Sequence, residues 1–213
     1  LEEGFTFIQV DSILLKAYIR KKGHKMKKQV LTFLILFLFD QHASAMIKEK
    51  DNNSYKNVHM TFHDATIEDL PSLNNLMRSS KETVGKTRYT EEYLDKFMSL
   101  LSVTPDVLKV SKVKKLFVEE KLAGFYSFYI NDENQLELDN FFLDPAFLYK
   151  GYGKTLWSHC LDTAKEYEGR DHFILWSSLE AESFYSKRGC VKIGEKPSPA
   201  DEKLIQPMLR YNF

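Results

Sequence analysis

Between Phe141 and Thr155 the chain reads Phe-Phe-Leu-Asp-Pro-Ala-Phe-Leu-Tyr-Lys-Gly-Tyr-Gly-Lys-Thr. An apolar strand ends at Asp144-Pro145 and is followed by a basic, glycine-spaced turn. The turn runs into a helix that carries Leu156, Trp157, Cys160, Leu161, Ala164 and Tyr167 on one face. Strand, glycine turn and helix N-terminus together form an anion site. Glycine at 151 and 153 lets backbone amides approach a phosphate closely, and the first helical turn adds unpaired N–H groups at the positive end of the dipole. Lys150 and Lys154 bring charge to the same place. The spacing lacks the third glycine of the dinucleotide fingerprint and the Gly-Lys-Ser/Thr ending of the Walker loop. A third kind of phosphate cradle is implied.

Downstream, Ala181-Glu182-Ser183-Phe184-Tyr185-Ser186-Lys187-Arg188-Gly189 reads as a short helix closed at a glycine, with a strand from Val191. These two segments, in this order, resemble the acetyl-CoA loop (Gln/Arg-x-x-Gly-x-Gly/Ala) and the Ala-x-x-Phe-Tyr-x-x-x-Gly element of the GNAT superfamily of acyl-CoA-dependent N-acetyltransferases. Leu148 occupies the Gln/Arg position of the loop, which removes one polar contact to the pyrophosphate. Ser178-Leu179-Glu180 replaces the Asp-Pro-Asn found ahead of the alanine in many relatives. The resemblance covers roughly residues 58–213.

The intervening patterns agree with that family's α/β (α+β) fold, a mixed, mostly antiparallel twisted sheet flanked by about four helices. Val58–Thr66 alternates like an edge strand, and Thr66–Asp69 opens a helix through a capping box. That helix is expected over Glu68–Met77, a polar segment over Arg78–Tyr89, and a second helix carrying Tyr93, Phe97, Leu100 and Leu101. Strands are expected at 115–119, 124–131 and 135–144, a helix at 153–168, and strands at 172–177, 191–196 and 205–211. Runs of strands interrupted by helices imply a sheet covered on both faces.

Composition narrows the partners. A formal net charge of zero leaves no electrostatic footprint for nucleic acid. The histidines and the two cysteines have no metal-binding spacing, so no metal is expected. Cys160, on an apolar helix face, reads as a buried free thiol rather than half of a disulfide.

Residues 1–57 form an N-terminal extension ahead of the 58–213 domain. From Met26 the extension reads Lys27-Lys28, an apolar run Val30–Phe39, and Ala43-Ser44-Ala45, the pattern of a secretory signal peptide over 26–45. The apolar run is too short to span a bilayer, which takes about 20 residues. Acetyl-CoA is a cytosolic metabolite, so the expected location is cytoplasmic, with translation starting at Met26, Met46 or Met60. Export through the 26–45 segment is the alternative. No membrane association is expected of the domain, and homodimerisation is left open.

The resemblance implies a chemistry and a set of residues. A neutral primary amine, on a small molecule or an amino acid, attacks the thioester of acetyl-CoA. The oxyanion then needs a donor and the departing thiolate a proton. The loop residues Tyr149, Lys150, Gly151, Tyr152, Gly153 and Lys154 would hold the pyrophosphate. The backbone near Phe142-Leu143 would face the thioester, on a strand that splays from its neighbour and pairs with the pantetheine arm. Tyr185 stands where the family has its thiolate-protonating tyrosine; otherwise it is an aromatic packed beside Phe184. Glu137 shares a strand face with Asp139 and is the expected general base; otherwise the two are solvated carboxylates. Tyr89, Tyr93, Tyr126 and Tyr129 are candidates for the cleft mouth. The alternative for the whole chain is a non-catalytic acyl-CoA-binding sensor or interaction module.

Overall fold

The computed structural model describes residues 58–86 and 88–213; the expected N-terminal extension 1–57, with its signal segment 26–45, lies outside the described residues. A first strand, β1 (Met60–Asp64), leads to a 3-10 turn at Ile67–Asp69, where the Asp69 carboxylate accepts the Thr66 N–H at 2.7 Å. Helices α1 (Leu70–Val84), α2 (Glu91–Leu101) and α3 (Pro105–Val110) follow. Next come β2 (Lys112–Val118), β3 (Lys121–Ile130), β4 (Leu136–Leu143), α4 (Tyr152–Ala164), β5 (His172–Trp176), α5 (Leu179–Ser186), β6 (Val191–Pro197) and β7 (Ile205–Asn212).

The seven strands form one sheet in the order β1-β2-β3-β4-β5-β7-β6. Every pairing is antiparallel except β4 with β5, which is parallel and holds only at Glu137–Ile174 and Leu138–Leu175. Beyond that point β4 continues to Leu143 beside β3, while β5 stays in register with β7 from His172 to Trp176. The sheet therefore opens in its middle, as the splayed strand requires.

Each face of the sheet is covered. On one side Leu73, Leu76 and Met77 of α1 and Tyr93, Leu94 and Phe97 of α2 pack with Val113 and Phe125. Asn74 ties the chain beyond α2 to α1: its amide donates to the Val103 carbonyl at 2.9 Å and its oxygen accepts the Val103 N–H at 2.8 Å. On the other side Trp157 of α4 meets Phe173 and Tyr211 edge-to-face at 5.8 and 5.6 Å between ring centroids. The Tyr126 hydroxyl is buried under α4, 2.7 Å from both His159 Nδ1 and Thr163 Oγ1.

Two helical expectations change. The first helix does not stop at Met77 but continues to Val84, because Ser80 and Lys81 fall on its buried face and Arg78 ion-pairs along and across it. Arg78 reaches Glu82, Glu91 and Asp95 at 2.8 Å each, binding α1 to α2. The helix α3 was not expected. It is short, buries no residue, and is carried by its end: Thr104 accepts the Val107 N–H at 3.3 Å and Pro105 takes the first turn. Leu100, expected on the buried face of α2, is 53% exposed.

At Gly124 on β3 a Cβ would sit 2.7 Å from the Phe142 carbonyl oxygen of β4. Gly124→Ala should therefore cost roughly 1–3 kcal/mol through forced backbone movement. Gly194→Ala, whose Cβ would first meet Met208 at 3.8 Å, should stay within about 0.5 kcal/mol of the native protein. Urea denaturation of both variants checks the contrast.

Candidate active site

Where β4 and β5 part, a cleft of about 460 Å³ opens between α1, α2, the carboxyl ends of the central strands and α5. Its floor is the free edge of β4. The Asp144 N–H donates to the Ala123 carbonyl at 2.9 Å, which fixes the phase of the β3–β4 ladder. Backbone groups alternate along a strand, so Phe142 bonds toward β3, and Phe141 and Leu143 turn their amides and carbonyls toward the gap. Of the pair expected at the thioester, Leu143 is the one whose amide faces the cleft.

The turn after β4 is shaped by three local choices. Asp144 accepts the Ala146 N–H at 2.8 Å and starts the 3-10 turn Pro145–Phe147. Tyr149 (φ 60°) and Gly151 (φ 90°) are left-handed, and the Tyr149 side chain is fully exposed. A tyrosine in that region costs roughly 1–2 kcal/mol, the kind of strain held at binding sites. The Lys150 ammonium donates to the Ala146 carbonyl at 2.7 Å. Tyr152 is buried and packs edge-on against Phe147 at 5.4 Å. Lys154 is exposed, and its N–H donates to the Gly151 carbonyl at 2.9 Å. Gly153 has a packing role: a Cβ there would lie 3.2 Å from both Leu143 and Phe184, seating α4 on the sheet.

Tyr185 lies on α5 with Phe141, Trp157 and Phe184 around its ring. It is 6% exposed and lines the cleft, and its hydroxyl hydrogen-bonds to no described residue. Burial pushes this phenol well above its ordinary range, so it remains a proton donor at neutral pH.

Glu137 and Asp139 both line the cleft from β4. Glu137 is 8% exposed and accepts a hydrogen bond from the Asn131 amide at 3.1 Å. Between Leu138, paired with Phe128, and Asn140, paired with Ser127, Asp139 is the extra residue of a β-bulge. It is exposed to solvent on the cleft side, while protein atoms crowd the rest of the carboxylate. Sparse solvation, with the Glu137 charge added, pushes its carboxyl up to about 6, against a hydrogen bond from the Asn140 amide at 2.7 Å. Tyr129 stands opposite Glu137 on β3, its phenol raised by burial and by both carboxylates.

Of the four tyrosines expected at the mouth, Tyr129 lines the cleft, while Tyr126 lies on the opposite face of the sheet under α4. Tyr89 stacks on Tyr93 at 4.5 Å and donates its hydroxyl to Glu180 at 2.7 Å. Lys81 and Lys196, which fall in the segments 79–89 and 196–206 that the resemblance implies for the substrate loops but were not singled out there, line the cleft wall. Lys81 lies four residues after the buried Met77, so continuing the apolar phase of α1 would have found it. Cys160 and Cys190 are buried free thiols. Among the described residues no group of three or more His, Cys, Asp or Glu side chains could hold a metal, and no helix is long and apolar enough to cross a membrane.

An antiparallel-rich sheet split at one parallel pair, with a left-handed turn and a helix N-terminus at the mouth of the gap, is the architecture that the GNAT resemblance implies. A family model described as an acetyltransferase (GNAT) domain matches residues 76–209, and the chain belongs to that family. Among solved structures, the PaiA N-acetyltransferase of Thermoplasma acidophilum in complex with coenzyme A superposes with a TM-score of 0.60 at 21% identity, over 73% of this chain and 99% of that one. A GCN5-related N-acetyltransferase of Rhodopseudomonas palustris gives 0.60 at 18%, over 72% and 95%. A GNAT-family acetyltransferase of Staphylococcus aureus Mu50 gives 0.57 at 18%, over 72% and 99%. No curated protein sequence matches the chain at a significant level.

The Asp139 shift has a consequence for stability. A carboxyl raised above its unfolded value binds more protons when folded, so ionising it lowers stability as pH climbs through about 4 to 6. Asp139→Asn should therefore be more stable than the native protein at pH 7 and lose that advantage below pH about 4. Urea unfolding at the two pH values measures it.

Proposed function

We propose that the protein transfers an acetyl group from acetyl-CoA to a primary amine of a small molecule or amino acid. The carrying observation is the gap between β4 and β5, a cleft lined together by Leu143, Tyr185, Glu137 and Asp139. The residues present suit acetyl-CoA: a strand edge left open beyond Leu138 for an extended pantetheine arm, and a left-handed turn leading into a helix N-terminus for a pyrophosphate. Lys150 and Lys154 flank that turn, and Tyr149, Tyr152 and Gly153 shape its two ends. Acetyl-CoA, when bound, supplies an activated acyl carbon and a thiolate leaving group.

Each residue then has a role set by its surroundings. Asp139 and Glu137 take the proton of the incoming amine, directly or through water; a carboxyl near 6 is ionised at neutral pH yet basic enough to accept it. The Leu143 amide faces the oxygen that gains charge. Tyr185, held protonated by burial, gives its proton to the departing sulfur and regains one from solvent. Domain-level likeness to acetyltransferases and the family membership support this reading over a binding module without turnover. The proposal places the enzyme in the cytoplasm, where acetyl-CoA is made, and treats 58–213 as the catalytic domain. Coenzyme A release during a screen of amine acceptors tests it, and a folded protein that binds CoA but releases none with any amine would make it a binding module.

The cradle has its own test. Gly151→Val forces a β-branched residue into φ 90° and should weaken CoA binding at least tenfold, as read by calorimetry on the folded variant. Unchanged affinity would move the pyrophosphate elsewhere.

Tyr185→Phe retains the aromatic packing and removes the donor. It should lower kcat roughly tenfold to a thousandfold with little change in CoA affinity. Steady-state kinetics alongside CoA titration separate the two effects, and equal turnover would leave Tyr185 a packing residue.

A further inference from the structure

The cleft contains a lysine whose charge the fold does not use. Lys81 is 8% exposed, and its ammonium lies 4.8 Å from the Tyr89 ring centroid and 4.9 Å from that of Phe97. No described residue hydrogen-bonds or ion-pairs with its side chain. The carboxylate acting on it most directly is Glu180, which is already committed: it accepts the Tyr89 hydroxyl at 2.7 Å and pairs with Arg88 at 3.0 Å. A buried ammonium with only aromatic faces for company is costly. Burial pulls Lys81 down to about 8, with the Glu180 charge opposing that shift. The other charged cleft residues are Glu137 and Asp139 of β4 and the exposed Lys196 of β6, whose ammonium sits 3.8 Å over the Trp176 ring. One cleft thus carries a carboxylate pair suited to an amine and a separate cation that no described carboxylate pairs with.

We propose that Lys81 is the anion subsite of the acceptor cleft and that the acceptor is an amine carrying a carboxylate, an amino acid or a zwitterion of that kind. Its carboxylate pairs with the Lys81 ammonium in a charge-assisted hydrogen bond while its amine is turned to Glu137 and Asp139. This rests on the acetyltransferase reading and narrows it. A polycation would meet Lys81 as a like charge, and a peptide N-terminus would bring an amide where the carboxylate belongs. The cleft volume of about 460 Å³ suits a small molecule.

The test compares carboxylates with their amides. In turnover, each common amino acid is set against its α-carboxamide; in binding, the corresponding N-acetyl amino acids and N-acetyl carboxamides are titrated by calorimetry into the full chain. The native protein should prefer the best carboxylate at least tenfold over its amide. At pH 8.5, above the range of Asp139, carboxylate binding should draw a proton onto Lys81, seen as a heat that varies with buffer ionisation enthalpy. Lys81→Met and Lys81→Gln should abolish both the preference and the proton uptake at unchanged CoA affinity, and Lys81→Arg should retain the preference. Equal use of amides, a preference that survives in the neutral variants, or no binding by any carboxylate overturns the subsite. Lys81-dependent carboxylate binding without CoA release from any acceptor would keep the subsite and refute acetyl transfer instead.

Discussion

Everything at the cleft depends on β4 and β5 staying paired for only two residues each, Glu137–Leu138 with Ile174–Leu175. β4 is held to β3 along its whole length and β5 to β7, so each strand follows its own partner and the two diverge. Aromatic rings maintain the separation. Phe141, Trp157, Phe184 and Tyr185 meet one another at 5.2 to 6.2 Å between centroids on the α4–α5 side of the gap. Unpaired backbone groups at a sheet centre are costly unless something bonds to them, which makes this edge suited to an extended ligand.

Three ionisable groups around the gap are pushed toward their neutral forms. The Asp139 carboxyl is raised to about 6, the Tyr185 phenol is raised, and the Lys81 ammonium is lowered to about 8, each chiefly by loss of solvation. The same dryness strengthens any charge interaction formed in the cleft. It leaves a base, an acid and a cation each able to change state near neutral pH or to respond to an incoming charge, the condition expected of a site that moves protons. Lys115, by contrast, is equally buried but neutralised by Asp69 at 2.5 Å.

Much of this was legible before the fold was known. Strands with strong alternation, the amphipathic α4, the glycine turn and the Ala181–Gly189 element fall where the pattern places them, because burial on one face imposes a period. Errors cluster where polarity misled. Arg78–Val84 reads as loop by composition, yet it is helix because ion pairs satisfy its polar side and Ser80 and Lys81 lie inward. The α3 helix has no apolar period, only the Thr104-Pro105 start. The strand-face rule put Glu137 and Asp139 together, but nothing in the residue pattern announced the bulge that gives Asp139 its own environment.

Local chemistry alone pointed to the family, most of the order of the elements and the glycine turn, since a glycine turn between strand and helix and a Phe-Tyr helix ending in glycine are properties of short segments. Distant contacts settled the rest. Whether Leu143 or Phe142 offers its amide depends on the β3–β4 register, set by residues some twenty positions apart. Lys81 acquires its environment from Tyr89, Phe97 and the already committed Glu180, on three different parts of the chain. A side chain's charge is written in its residue type, but whether that charge is paired, hydrated or left waiting is a matter of which neighbours the folded chain brings to it.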